Sequence, residues 1–224
     1  MPKTLVGTTA VQDYLKAIHQ LGGSSDHVPT SALAERLGVR PASVSEMVRR
    51  LDEQGLVSRK RYRGVRLTRR GARQAVEMIR HHRLLELYLA EVVGMPWDKV
   101  HAEADALEHV ISEDLESRLD ELLGHPTTDP HGHPIPSASL DLIERAYPTL
   151  GDFDAGSRCV VKLVSDESPE LLRHLDGLGI RPGTAVDVVE RVAFGGGVRA
   201  TVGGDTHSIG REAAAAVFVS VEKT

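Results

Sequence analysis

The stretch that decides the fold is TSALAERLGVRPASVSEMVRRLDEQGLVSRKRYRGVRLT, residues 30–68. Apolar residues recur at helical spacing before Gly38, and again between Pro41 and Gly55, so this stretch predicts two short helices. The connection from Gly38 to Pro41 is short, as in a helix-turn-helix. In that motif the second helix enters the major groove of DNA.

The second predicted helix is followed by LVSRKRYRGVRLT, which contains two short extended runs around Gly64. A strand–turn–strand at this place is the wing of a winged helix, and the glycine permits the tight turn. Small residues at the start of the second helix predict modest reading of base edges, with phosphates and DNA shape contributing more. The residues expected to contact DNA are Arg40, Pro41, Ala42, Ser43, Ser45, Arg49, Arg50, Arg59, Lys60, Arg61 and Arg63.

The charge distribution agrees with that expectation. Between residues 35 and 73 there are twelve Arg and Lys and four Asp and Glu, a local net charge of +8 in a chain whose formal net charge is −5. A basic segment within an acidic protein is typical of a nucleic-acid-binding domain. The single cysteine, Cys159, excludes an internal disulfide and any cysteine-based zinc or iron–sulfur site within one chain. No apolar run reaches the ~20 residues of a membrane span, so we expect a cytoplasmic protein without membrane contact.

Beyond the wing, helical patterns predict helices over residues 70–93, 98–123 and 137–147. Apolar β-rich runs then alternate with glycine-bearing turns, one of them at 194–197. This pattern predicts a small barrel of about five short strands, with a helix inserted at PELLRHLDGLG, residues 169–179.

One cluster of side chains suggests a metal site. On a continuous helix from residue 98, His101, Asp105, Glu108 and His109 would project from one arc of about 100°. Imidazole and carboxylate groups crowded in this way are natural ligands for a divalent ion. The preceding helix adds His82 and Glu86 at i, i+4, and the first helix adds Asp13. The alternative is a solvated acidic helix face without a ligand.

An enzyme is the less favoured interpretation. DALEH, residues 105–109, resembles the H-x-x-E-H pattern of zinc hydrolases, but an aspartate stands in place of its first histidine. The sequence shows neither a glycine-rich phosphate loop nor a nucleophile elbow. We therefore expect a protein that is not an enzyme.

Taken together, these segments resemble the iron- and manganese-dependent repressors related to diphtheria toxin repressor. The resemblance covers nearly the whole chain in the same order. Its segments are TT…DYLKAI, ALAERLGVRPASVSEMVRRLDEQGLV, RYRGVRLT followed by RRG, HHRLLELYL, DKVHAEADALEHVIS, PHGHPIP and a C-terminal part similar to an SH3-like, ferrous-transport-A-like barrel.

The resemblance implies an α+β protein of several domains. They would be a winged helix-turn-helix DNA-binding domain at 1–72, an all-α dimerisation and metal-binding domain at 73–147, a linker at 148–155, and an SH3-like β-barrel at 156–224. It also implies a homodimer that binds a palindromic operator in double-stranded DNA. The apolar sides of the helices after the wing are the expected interface.

The resemblance further implies two metal sites. The primary site would use Asp13, Asp105, Glu108 and His109. The ancillary site would use His82, Glu86 and His101, completed from the C-terminal domain, where the candidates are Asp166, Glu167 and Glu170. His131 and His133 are expected to have only a structural role in their turn.

Two positions favour manganese. Where the iron repressors have a methionine and a cysteine, this chain has Asp13 and Asp105, and hard oxygen ligands suit Mn²⁺. Lys16 stands where some two-domain manganese regulators have a glutamate ligand, which favours a separate ancillary site over a binuclear cluster. The expected function is therefore a Mn²⁺-activated repressor of manganese-uptake genes, although other divalent metals would bind in vitro.

Three alternatives stay open. The first is an Fe²⁺-responsive repressor of the same family. The second is a winged-helix regulator that binds DNA without metal, and the third is a metal-dependent hydrolase.

Overall fold

A computed structural model of the chain describes residues 8–193 and 196–221. These residues form two compact units. Of the described residues, the first unit comprises residues 8–82, Asp105–Leu122 and Pro136–Leu142, and the second comprises the segments 83–104, 123–135, 143–193 and 196–221. No helix of the described residues is both long enough and apolar enough to span a membrane.

The first unit begins with three helices, α1 (Thr9–Gln20), α2 (Thr30–Leu37) and α3 (Pro41–Glu53). Gly38 ends α2 in the left-handed conformation at φ 62°, which glycine adopts without strain, and Pro41 opens α3. The predicted helix-turn-helix is confirmed. Its core consists of the buried side chains that recur at helical spacing, including Val11, Leu15, Ile18, Leu33, Val44, Val48 and Leu51.

The wing is an antiparallel pair of strands, β1 (Val57–Lys60) and β2 (Gly64–Leu67), as predicted. Gly64 has φ 101°, and a Cβ atom there would lie 2.0 Å from the carbonyl oxygen of Val28. Backbone hydrogen bonds in both directions between Val28 and Val65 hold the wing against the helices. Only glycine therefore satisfies this turn.

The helices that follow the wing agree only in part with the predictions. The expected helix over 70–93 is confirmed as α4 (Arg69–Glu91). The expected single helix over 98–123 is wrong, because the segment forms α5 (Val100–Leu107) and α6 (Glu113–Leu122). The Ser112 hydroxyl accepts a hydrogen bond from the backbone N–H of Leu115, so it caps a new helix within the predicted one. Glu108 and His109 consequently lie in a turn after α5, and not on the same helix face as His101.

The helix predicted over 137–147 is also wrong, since these residues form a turn and irregular backbone. The Ser137 hydroxyl accepts from the backbone N–H of Asp141, and the Ser139 hydroxyl donates to the Asp141 carboxylate. Leu140 has φ 66°. Local side-chain hydrogen bonds of this kind compete with helix formation.

The second unit contains the predicted five-stranded domain. Its strands are β3 (Arg158–Val164), β4 (Ala185–Arg191), β5 (Val198–Val202), β6 (Asp205–Ile209) and β7 (Val217–Val221), and its helices are α7 (Pro169–Gly177) and α8 (Arg211–Ala215). The strands form one antiparallel sheet in the order β6-β5-β4-β3-β7. Residues 194–195 of the turn expected at 194–197 lie outside the described residues.

The linker predicted at 148–155 is corrected by the structure. Leu150–Asp152 is a short 3-10 helix, and Leu150 is completely buried in the core of the five-stranded domain. The backbone N–H of Val219 donates to the carbonyl of Pro148, which attaches this segment to the edge strand β7. The apolar Leu150 side chain therefore makes the segment part of the C-terminal domain.

Candidate metal centre and nucleic-acid interface

The first candidate centre lies within the first unit, between α1 and the turn after α5. Asp13, Glu108 and His109 each present a ligand atom, and these atoms lie within 4.8 Å of one another. His109 Nε2 is 3.1 Å from Asp13 Oδ1 and 3.8 Å from Glu108 Oε1. The structure thus brings together three of the four residues predicted for the primary site. We call them the Asp13 group.

Gln12 orients the histidine of the Asp13 group. The Gln12 side chain is buried, and its Oε1 accepts a hydrogen bond of 2.7 Å from His109 Nδ1. Because Nδ1 donates to Gln12, Nε2 is the ring nitrogen directed at Asp13 and is the one that would bind a metal. Sequence analysis missed Gln12, since its role depends on a residue 97 positions away.

A second group shares Glu108 with the first. His82 Nδ1 is 2.5 Å from Glu108 Oε2 and 3.3 Å from Asp105 Oδ1. Asp105, predicted for the primary site, and His82, predicted for the ancillary site, therefore lie together beside Glu108. We call His82, Asp105 and Glu108 the Asp105 group.

The ammonium of Lys16 is in contact with every member of the Asp105 group. Lys16 Nζ is 2.9 Å from Asp105 Oδ1, 3.0 and 2.7 Å from the two carboxylate oxygens of Glu108, and 3.1 Å from His82 Nδ1. Although burial opposes the charged form, the carboxylates of Glu108 and Asp105 raise the pKa of Lys16 above its ordinary value. Lys16 is therefore a charged ammonium in this group.

The two aspartates respond differently to their surroundings. Burial raises the pKa of Asp13 above its ordinary value, against the opposing effect of His109, and Glu108 raises it further. At Asp105 burial acts in the same direction, but the hydrogen bond with His82 and the charge of Lys16 hold its pKa well below the ordinary value. Asp105 thus has a cation beside it, whereas the surroundings of Asp13 disfavour its ionised form, which a bound cation would stabilise.

His81 holds the turn that carries Glu108. Its Nδ1 donates to the backbone carbonyl of Glu108 at 3.2 Å, and its Nε2 lies 2.9 Å from a carboxylate oxygen of Glu116 on α6. Although burial opposes protonation, the hydrogen bond to Glu116 raises the pKa of His81 above its ordinary value. Arg80, also buried, donates to Glu116 at 2.5 Å and to the carbonyl of Pro136 at 2.6 Å. These hydrogen bonds hold in place the turn that carries Glu108.

A separate cluster lies within the second unit. His101 Nδ1 is 2.9 Å from Glu86 Oε1 and 3.4 Å from Asp166 Oδ2. Burial opposes ionisation of Asp166, yet His101 and His133 hold its pKa well below the ordinary value. Of the three C-terminal candidates for the ancillary site, only Asp166 joins this cluster. Glu167 is exposed, and Glu170 is paired with Arg173.

His131 and His133, which are expected to have only a structural role in their turn, also lie beside carboxylates of this cluster. His131 is completely buried, and its Nδ1, which makes no hydrogen bond, lies 3.8 Å from Glu86 Oε1. His133 Nδ1 is 3.3 Å from Asp129 and 3.8 Å from Asp166.

The donors in both units fit a divalent ion. They are carboxylate oxygens and imidazole nitrogens, the ligands that Mn²⁺ and Fe²⁺ share. Cys159, the single cysteine of the sequence, is buried in the core of the five-stranded domain and belongs to neither cluster. The buried Nδ1 of His131 and the crowded Asp13 carboxylate are the atoms that a cation would satisfy.

The surface of α3 and the wing is suited to nucleic acid. All eleven residues predicted to contact DNA are exposed. Arg49 pairs with Glu53 at 2.6 Å and Arg59 pairs with Asp52 at 2.9 Å, so two of the arginines also have acidic neighbours. At the tip of the wing, the guanidinium of Arg61 lies 4.8 Å from the centroid of the Tyr62 ring. A groove of about 610 Å³ separates this wing from the helices.

Comparison with known proteins identifies a DNA-binding domain and a metal-binding domain in this chain. Residues 7–65 match the N-terminal DNA-binding domain of the iron-dependent repressors, and residues 68–137 match their metal-binding and dimerisation domain. Residues 149–221 match the FeoA domain, so the C-terminal sheet is SH3-like.

Whole-chain relatives extend this agreement. The iron-dependent repressor IdeR of Mycobacterium bovis is 35% identical over 213 residues, 89% of this chain and 90% of the relative. A manganese-dependent transcriptional repressor solved in complex with manganese is 39% identical, with a TM-score of 0.87 over 95% of this chain and 100% of that chain. The manganese regulator SloR is 30% identical, with a TM-score of 0.76 over 95% and 98% of the two chains.

These domains fit a protein that binds DNA as a homodimer. The family consists of transcriptional repressors and not of enzymes, which agrees with the expectation from the sequence. The chain therefore belongs to the iron-dependent repressor family and is a metal-dependent transcriptional repressor.

Proposed function

We propose that this chain is a Mn²⁺-activated repressor that binds palindromic operators of manganese-uptake genes. The observation that carries the proposal is the chemistry of the Asp13 group, in which two carboxylates and one imidazole converge without sulfur. Hard oxygen ligands suit Mn²⁺, whereas soft sulfur ligands select other metals. The manganese-dependent repressors among the similar structures support the same choice.

The primary centre would be held by Asp13, Glu108 and His109, with Asp105 on the other side of the shared Glu108. A bound divalent ion would neutralise the carboxylates and join α1 to the turn after α5. Gln12 holds His109 through Nδ1 with Nε2 directed at Asp13, and His81 keeps the Glu108 turn in place.

The ancillary centre would be held by Glu86, His101 and Asp166, with His131 added on the basis of its buried Nδ1. His82, assigned to this centre by the sequence, precedes Glu86 by one turn of α4, and its Nδ1 is engaged by Glu108 in the first unit. Glu167 is exposed and Glu170 pairs with Arg173, so neither belongs to the proposed ligand set.

We propose that α6 contributes to the homodimer interface. Leu115 and Leu122 are seven residues apart on this helix, so they lie on one face, and they are 43% and 64% exposed. Val110, in the turn before α6, is 75% exposed. Exposed apolar residues on one helix face, with another in the turn before it, are typical of an association surface. A dimer would present two recognition helices to the two halves of a palindrome.

Fluorescence anisotropy of a labelled palindromic duplex from the promoter of a manganese-uptake gene tests the proposal. We expect tight binding with Mn²⁺, weak binding with a chelator, and weaker activation by Fe²⁺ under anaerobic conditions. The Asp13→Asn variant should lose the response to Mn²⁺. Asp26→Asn is the matched control, because the Asp26 side chain is 94% exposed and lies outside the Asp13 group.

Three outcomes would contradict the proposal. Equal affinity for DNA in chelator and in Mn²⁺ would favour a regulator that binds DNA without a metal. Equal activation by Fe²⁺ would favour the iron-responsive alternative. Metal-dependent hydrolysis abolished by Asp105→Ala would instead indicate an enzyme.

A further inference from the structure

The tip of the wing carries an aromatic side chain that is not among the eleven residues expected to contact DNA. Tyr62 lies between β1 and β2, and it is 91% exposed, the highest fraction among the exposed large apolar residues that the structure describes. A ring with this exposure contributes little to the core of the helix-turn-helix. Burial within the chain therefore does not explain why an aromatic residue stands at the tip.

The backbone of the wing tip holds Tyr62 in a strained conformation. The turn of residues 60–63 is closed by a hydrogen bond of 3.0 Å from the backbone N–H of Arg63 to the carbonyl of Lys60. Tyr62 is the third residue of this turn and has φ 64°. Glycine and asparagine are favoured at such a position, because a bulky side chain crowds the backbone there. A bulky residue kept in this conformation points to a function at that place.

The surroundings of the ring are strongly basic. The guanidinium of Arg61 lies 4.8 Å from the centroid of the Tyr62 ring, a cation–π contact. Arg59, Lys60 and Arg63 line the same groove beside the ring. A surface that joins cations to an apolar ring suits a polyanion that also presents apolar surface. The minor groove of DNA meets both requirements, since phosphates follow its edges and deoxyribose forms its walls.

The place of the wing in the DNA-binding domain allows the tip to reach a minor groove. The wing directly follows α3, the helix that would enter the major groove of a half-site. The neighbouring minor groove lies across one phosphate backbone and is about 6 Å wide in B-DNA. It is narrower in A·T-rich sequence, where the sugars of the two strands lie closest together. An aromatic ring can contact both walls of a narrow groove, whereas a wide groove leaves one wall out of reach.

We propose that Tyr62 is a DNA-contacting residue whose ring packs against deoxyribose in the minor groove flanking each half-site, and that it favours A·T-rich flanks. Arg61 remains a phosphate contact, so the two neighbours have different effects on binding. The inference rests on the proposed operator binding, because it requires a palindromic duplex that the chain binds with Mn²⁺. It gives the wing a means of reading DNA shape outside the half-sites.

The test is fluorescence anisotropy with two duplexes that share one palindrome and differ only in their flanks, one A·T-rich and one G·C-rich, at saturating Mn²⁺. We expect the wild type to bind the A·T-flanked duplex more tightly. Tyr62→Asn should weaken binding to that duplex about fivefold, the lower end of what aromatic contacts with nucleic acid contribute, and should leave binding to the G·C-flanked duplex nearly unchanged. Tyr62→Phe keeps the ring and should retain the flank preference.

The choice of asparagine separates loss of the ring from damage to the wing. Asparagine adopts positive φ more readily than tyrosine, so the melting temperature of Tyr62→Asn should equal or exceed that of the wild type. His125→Asn is the matched control, because it removes a ring from another exposed position of positive φ, at 57°, outside the DNA-binding domain. It should bind both duplexes as the wild type does.

Hydroxyl-radical footprinting gives a second readout that locates the contact. These radicals cleave DNA at deoxyribose, which they reach mainly through the minor groove. The wild type should protect the flanking minor grooves of the A·T-flanked duplex. Tyr62→Asn should lose this protection, at protein concentrations that saturate the duplex, and should keep the protection of the half-sites.

The outcomes separate this inference from the proposed function. Unchanged affinity and unchanged flank protection in Tyr62→Asn would overturn the role of the ring. An equal loss of affinity for both duplexes would overturn the preference for A·T-rich flanks. A loss in Tyr62→Phe as large as that in Tyr62→Asn would show that the hydroxyl, and not ring packing, makes the contact. A wild type that binds neither duplex with Mn²⁺ would instead contradict the proposed function.

Discussion

Replacing Gln12 by leucine is expected to weaken Mn²⁺ binding at the Asp13 group, although Gln12 is not proposed as a ligand. In the structure its Oε1 accepts the Nδ1–H of His109 at 2.7 Å, so Nε2, directed at Asp13, is the ring nitrogen that would bind a metal. Leucine has a similar volume but offers no acceptor. The ring can then adopt the other tautomer, in which Nε2–H donates to Asp13, and metal binding must reverse this state.

The size of the effect follows from the burial of the contact. Gln12 is 5% exposed and the His109 side chain is 11% exposed, so water replaces the lost acceptor poorly. Removing the hydrogen-bond partner of a metal-ligating histidine typically costs about 10–100-fold in metal affinity. This corresponds to about 1.4–2.8 kcal/mol, within the range for leaving a buried donor without an acceptor.

The assay is competition for Mn²⁺ with a fluorescent chelator, performed on a Glu86→Gln parent, in which the ancillary centre is removed so that only one centre is titrated. Gln20→Leu is the matched control, since Gln20 is exposed on the same helix and its amide accepts from Arg36. Gln12→Glu keeps an acceptor at this position and should restore affinity. A Gln12→Leu affinity equal to that of the parent would refute the reasoning about the tautomer.

Three further predictions concern the other parts of the chain. The stability that the His81–Glu116 contact contributes should be complete at pH values below 6.5, the ordinary pKa of histidine, and should be lost as the pH rises through the raised pKa of His81. The difference in melting temperature between the wild type and His81→Gln should therefore become smaller at alkaline pH. Gly64→Ala should lower stability by more than about 1 kcal/mol and weaken DNA binding, because the turn has φ 101° and a carbonyl lies 2.0 Å from the new Cβ; an unchanged melting temperature would contradict this. Arg61→Ala should weaken binding to all duplexes alike and should reduce the dependence of the affinity on salt concentration, measured by anisotropy. Ser43→Ala should instead change the sequence preference. The reverse pattern would contradict the assignment of phosphate and base contacts.

The winged helix could be predicted from the sequence because its signals are local. Gly38 and Gly64 have positive φ angles where the turns were expected, and Pro41 begins the recognition helix. Apolar spacing placed α4 within two residues at each end. Each of these features depends on nearby residues in the chain and on the backbone conformations that glycine and proline favour.

The errors arose where a local hydrogen bond interrupted a helical pattern. Apolar periodicity continues through Ser112, but its hydroxyl caps α6 and ends the expected single helix. The same reason explains the turn at Ser137–Asp141. Periodicity reports which residues face a core, and it does not report where the backbone leaves the helix.

The candidate site shows the same limit at longer range. The resemblance to known repressors was sufficient to predict that Asp13, Glu108 and His109 are candidate ligands. Gln12 and His131 could not, since nothing in their own sequence neighbourhood shows that one faces His109 and the other Glu86. Orienting groups of this kind become visible only when the tertiary contacts of the ligands are known.

The position of α1 explains how a metal could affect DNA binding without a separate hinge. Asp13 and Lys16 face the Glu108 turn, while Leu15 and Ile18, on other sides of the same helix, are buried in the core that contains the recognition helix α3. Because α1 packs on α2 and α2 packs on α3, a change in how Glu108 holds α1 is transmitted through one apolar core. Thermodynamic linkage then requires operator DNA to raise the affinity for Mn²⁺ by the same factor by which Mn²⁺ raises the affinity for DNA. Equal Mn²⁺ affinities with and without operator would show that α1 carries no coupling, whatever the metal centre contains.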